Sequence, residues 1–121
     1  MLSIRFFSDS NHPPHSIRIV DQFYEWLAHS DFSKVGSTDE IEIEIEEEIV
    51  SLPLVRLDDT IREGFINVLS DTFFQETRQM LGALEQAHST ELLSDQTYRL
   101  KKLLEMLDCF KNPAYQYLQR E

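Results

Sequence analysis

The sequence predicts an α+β fold in which a small antiparallel sheet of two or three strands, drawn from the N-terminal half, packs on a helical C-terminal half. Residues 41–46 read Ile-Glu-Ile-Glu-Ile-Glu. On a strand this period of two places every isoleucine on one face and every glutamate on the other; on a helix the isoleucines would step about 200° and scatter around the cylinder. Between residues 60 and 110 the apolar residues recur instead at intervals of three and four, the spacing of one helical face. A strand with one apolar and one charged face belongs in an antiparallel sheet with one side in water. A chain of 121 residues buries roughly two-thirds of its unfolded surface, enough for a single domain over 1–121 without a disulfide or a structural metal.

In chain order, residues 2–7 alternate loosely and predict a first strand. The run Ser8 to Pro14 is dense in turn formers and predicts a loop. From Ser16 to His29, Ile17, Val20, Phe23, Tyr24 and Leu27 fit a helical face, which predicts an amphipathic helix. A loop around Gly36 leads into the acidic strand. Residues 51–57 predict a return strand, with Pro53 tolerated only at its start or on an edge. The segment from Asp58 to Ala87 predicts one long helix, or two that break at Ser70-Asp71. Its apolar stripe is Ile61, Phe65, Val68, Leu69, Phe73, Met80, Leu84 and Ala87, and Thr60 with Glu63 suggests a capping box. The next helix, from Thr90 or Ser94 to Phe110, carries Leu100, Leu103, Leu104, Leu107 and Phe110. Pro113 ends it, and the last eight residues predict a final turn or a frayed tail.

Charge is the most informative functional feature. The net charge is −11, and residues 39–48 hold seven acids and no bases, which leaves fifteen acids against eleven bases elsewhere. Such a balance opposes direct binding to nucleic acid and to an anionic membrane surface, both of which need clustered Lys and Arg. It favours a basic protein partner. The single cysteine, the absence of a basic-then-apolar leader and of any long apolar run predict a soluble, cytoplasmic protein.

Along a strand, Glu42, Glu44, Glu46 and Glu48 would stand roughly 6.6 Å apart. Neighbours would repel by about 0.6 kcal/mol in water, a cost the fold can carry. Charge on an edge strand prevents edge-to-edge association, and Glu47, on the isoleucine parity, would mark a bulge or an inward-pointing charge. Seven carboxylates exceed what that protection requires. The expected contact set is therefore Glu42, Glu44, Glu46 and Glu48, supported by Asp39, Glu40 and Glu47. Its expected role is to steer and pair with Lys or Arg of a basic, nucleic-acid-acting protein, as an inhibitor or immunity-type protein does. The rival expectation is a small adaptor subunit docking through an apolar helix face.

Catalytic chemistry has few candidates. His12 and His15 flank Pro13-Pro14; in an extended polyproline conformation they are separated by roughly 9 Å, long for a shared metal. No zinc spacing, calcium loop, glycine-rich phosphate loop or nucleophile motif occurs, so no cofactor and no metal is expected. His29 and His88 fit helix C-termini. Cys109 reads as a buried thiol with no visible base. A small enzyme using His12, His15 or Cys109 is the remaining alternative.

Overall fold

A computed structural model describes residues 2–8, 13–85 and 90–120. Five strands and three α-helices follow in the order β1 (Leu2–Ser8), β2 (His15–Ile19), α1 (Asp21–Ala28), β3 (Asp39–Ile45), β4 (Glu48–Arg56), α2 (Asp59–Glu85), α3 (Thr90–Lys111) and β5 (Tyr115–Gln119), with a 3-10 turn at Asp31–Lys34. The strands form one antiparallel sheet in the order β2-β1-β5-β4-β3. The fold is α+β, and the sheet is larger than the two or three strands expected.

The additional strands correct two readings. The helix predicted from Ser16 divides: Ile17 and Ile19 alternate on β2, paired with Ile4 and Leu2, and α1 begins only at Asp21. Helical spacing from Ile17 onward and strand alternation of Ile17 with Ile19 coexist in the sequence, and pairing with β1 decides between them. The C-terminal segment forms β5 rather than a frayed tail. Its five residues sit at the centre of the sheet and join the β1–β2 hairpin to the β3–β4 hairpin. A five-residue strand is too short for periodicity to reveal, yet it becomes the most protected position once both neighbours are present.

All three helices pack on one face of this sheet. Ile4, Phe6, Ile17, Ile19, Val55 and Leu118 meet Phe23 and Leu27 of α1, Phe65 and Leu69 of α2, and Leu103, Met106, Leu107 and Phe110 of α3. Phe110 is central: it stacks on Phe65 at 4.6 Å and meets Phe6 edge-on at 5.0 Å. Helix α2 runs unbroken through Ser70-Asp71, and its N-cap is Asp58, whose Oδ1 accepts from the Ile61 amide at 2.8 Å. Thr60 and Glu63 therefore lie inside the helix rather than forming a capping box.

Two arginines tie loops to this core. Arg62 donates to the carbonyls of Phe110 (2.7 Å), Asn112 (3.0 Å), Leu57 (3.3 Å) and Tyr115. It thereby satisfies carbonyls at the end of α3 and around the entry to β5 that helix geometry leaves unpaired. Arg120 donates to Phe32 (2.9 Å) and Val35 (2.7 Å) and lies over the Phe65 ring. Gly36 follows with φ +66°, and a Cβ there would stand 2.9 Å from Val55 Cγ1, so both backbone and space call for glycine.

Candidate functional site: an acidic hairpin arm

Strands β3 and β4 pair from Asp39↔Leu54 to Ile45↔Glu48, which leaves Glu46 and Glu47 as a two-residue turn. Both have positive φ, 50° and 69°. This is the conformation of a type I′ turn, whose twist suits a tight hairpin and which asparagine and glycine normally occupy. Glu47 thus marks neither a bulge nor an inward-pointing charge. The right-handed twist of the hairpin accounts for its φ, and the turn at 46–47 accounts for the break in alternation.

The turn also redistributes the expected row. Paired residues across an antiparallel ladder share a face. Glu40, Glu42 and Glu44 lie on one face with Pro53, Ser51 and Ile49, and Ser51 Oγ donates to Glu40 Oε2 at 2.9 Å. Glu46 and Glu47 occupy the tip. Glu48 has crossed to β4 and, like Asp39, stands on the isoleucine face. All seven carboxylates are exposed. They are brought together on one hairpin, but as a face of three, a tip of two and two flanking groups rather than as one row of Glu42, Glu44, Glu46 and Glu48.

The isoleucine face does not pack on the helices. Val55 and Phe6 point into the helical core, so Leu54 and Phe7, one residue away on each strand, point to the sheet's other face. There Phe7, Ile41 and Leu54 form a second buried cluster, against which Ile43, Ile45, Leu52 and Tyr117 are half-buried. Alternation determines which residues share a face; it carries no information about which side of the sheet that face meets. The expectation that the isoleucines would join the helical core is corrected accordingly.

Strand β5 pairs with β4 only at Val55 and Arg56. Beyond that point, among the described residues, β4 pairs with β3 alone and the hairpin runs on for roughly 20 Å. Pro53 suits this arrangement. In a two-residue hairpin the pair next to the turn is hydrogen-bonded and pairs alternate from there, so Pro53 occupies a position whose nitrogen faces away from β3. Its missing N–H helps to end the β5 ladder. The result is an arm anchored at its base by Leu54, Phe7 and Ile41, with β3 as the outer edge of the whole sheet.

Arginines on the helix-free face were missed in the sequence. Arg5, Arg18 and Arg56 are exposed and share the parity of Phe7 and Tyr117, and Arg56 lies over the Tyr117 ring at 5.9 Å. Their alternation within Ser3–Phe7 and Ser16–Ile19 was the available signal. The positive groups therefore stand on one face of the sheet, whereas Glu40, Glu42 and Glu44 stand on the other.

The chemical alternatives are placed as follows. His12 lies outside the described residues; His15 opens β2 and stacks on Tyr115 at 6.1 Å. His29 is the C-cap of α1, its Nδ1 2.7 Å from the Glu25 carbonyl oxygen, and His88 lies outside the described residues. Cys109 is buried, and burial, with Asp108 and Glu105 nearby, pushes its thiol up to about 11. Burial likewise raises the Tyr115 hydroxyl. A thiol so shifted stays protonated at neutral pH, the opposite of an activated nucleophile. Among the described residues no group of three His, Cys, Asp or Glu is arranged to hold a metal ion, and no helix is long and apolar enough to cross a membrane. Carboxylates on successive strand positions diverge from any common centre, which is why even this density makes no cation site.

The fold and this arm define the chain as an α+β protein with a projecting acidic β-hairpin. No known protein family, curated protein or solved structure matches it.

Proposed function

We propose that the protein is a non-enzymatic binding module whose acidic hairpin occludes a basic, nucleic-acid-acting protein, in the manner of an inhibitor or immunity-type protein. The observation that carries this reading is the tip. Edge protection and solubility are served by charges along β3, and an Asn-Gly turn would relieve the left-handed strain at Glu46 and Glu47. Two exposed carboxylates stand there instead, at the turn of an arm braced at its base. An array of glutamates held on a two-stranded scaffold offers Lys and Arg side chains the spaced negative charges that a phosphodiester backbone would otherwise supply. Steering by such a field raises the association rate and makes it sensitive to salt.

The test is capture from native lysate with wild type and with Glu42, Glu44 and Glu46 changed to Gln, at low and high salt, with captured proteins assayed for nuclease activity. The proposal expects a basic protein held by wild type, inhibited by it, and released by the substitutions or by salt. A partner retained in every lane would refute it. A second reading rests on β3 lying at the sheet edge: the carboxylates then serve to block strand addition. In that case the Gln variant aggregates while partner capture is unchanged.

A further inference from the structure

Helix α2 is 27 residues long, roughly 40 Å, and only its first half reaches the helical core. Its core contacts run from Ile61 to Phe73, and those of α3 begin at Tyr98. Beyond these points the two helices continue as a projecting pair. Among the described residues, the buried side chains of this pair are polar: Glu76, which meets Arg99 at 3.3 Å, and Gln96, whose Oε1 has no hydrogen-bond partner there. Of its described apolar side chains Met80 is half-buried, and three others face outward. Phe74 is 62% exposed, Leu81 56% and Leu84 53%. A turn-by-turn projection puts Phe74, Arg78, Leu81 and Glu85 within about 60° of one another, directly opposite the core-facing Phe65 and Leu69 and the α3-facing Glu76.

Gly82 adds an independent observation. Only proline is less favourable inside a helix, and a Cβ built at Gly82 meets nothing within 4 Å, so among the described residues nothing requires glycine there. A glycine beside an exposed leucine is what a second helix needs for close approach.

The geometry points to a second copy of this chain as the occupant, with α2 packing antiparallel on α2 about a two-fold axis between Leu81 and Gly82. Charge complementarity within the ridge is what argues for a copy. In a protein of net charge −11, the ridge over residues 74–85 exposes one base and one acid, Arg78 and Glu85, because Glu76 is buried against Arg99. This is a stretch where two acidic molecules meet without mutual repulsion. The ridge is also self-complementary: with the axis at that point, Leu81 seats over Gly82 of the second copy, and Arg78 lies opposite Glu85 in both directions, as an isologous contact demands. The two α2 helices then cover Leu81 of both copies.

Sedimentation equilibrium of the full chain, from micromolar to submillimolar concentration, tests the inference. Wild type should dimerise, and Leu81→Arg should weaken association by about tenfold or more while leaving the circular dichroism unchanged. Arg78→Glu and Glu85→Arg should each weaken the dimer, and the double variant should recover it, which no loss of folding would imitate. Glu42→Gln should leave it intact, so this outcome is separable from the fate of the acidic arm. A monomer at every concentration, a dimer indifferent to Leu81→Arg, or a face that instead holds an unrelated protein would overturn it.

Discussion

Replacing Arg62 by methionine removes four hydrogen bonds while keeping much of the aliphatic volume. Its guanidinium joins the end of β4, the C-terminus of α3 and the start of β5 through the carbonyls of Leu57, Phe110, Asn112 and Tyr115. A hydrogen bond to a charged donor contributes about 1.5–3 kcal/mol, and a half-buried carbonyl left without one loses about 1 kcal/mol or more. The four are not additive, because the bond to Asn112 lies at the exposed side, where water substitutes. A net loss of about 3–5 kcal/mol is expected, a large share of the stability of a small domain. Lysine at the same position keeps the charge but loses the planar fork, and should fall between the two. Urea unfolding followed by the fluorescence of Trp26, the single tryptophan, measures the difference. A methionine variant within about 0.5 kcal/mol of wild type, or a lysine variant equal to wild type, would refute the assignment of Arg62 as the tie between these segments.

Two further outcomes follow from the turn and from the buried thiol. Changing Glu46-Glu47 to Asn-Gly should raise stability by about 1–2 kcal/mol in the same urea assay, since both positions have left-handed φ; under the proposed function it should also weaken capture of the basic partner. The Cys109 thiol, raised from 9.0 to about 11, should react negligibly with a thiol reagent at neutral pH in the folded protein and quickly in urea. Because the unfolded chain loses that proton first, the contribution of Cys109 to stability should be constant below about pH 9 and fall as pH rises from 9 towards 11, and Cys109→Ala should flatten much of that fall. Stability rising over that interval would contradict the direction of the shift.

The local chemistry of the chain was legible without the fold. Strict alternation at 41–46 specified a strand, since no helix gathers those isoleucines on one side, and the three-and-four spacing from Ile61 to Phe110 specified long helices. The exposure of Glu42 and Glu44 was readable for the same reason: alternation over a few neighbouring residues puts them opposite the isoleucines. Tertiary structure decided whatever depended on a distant partner. Residues 15–19 became a strand because β1 lay beside them, and residues 115–119 because two hairpins left a central place open. It also decided that the isoleucines meet Phe7 rather than the helices, and that Leu84, on the predicted apolar stripe, projects beyond the core into solvent. A one-dimensional pattern gives the parity of a face; only the assembled layers say what that face meets.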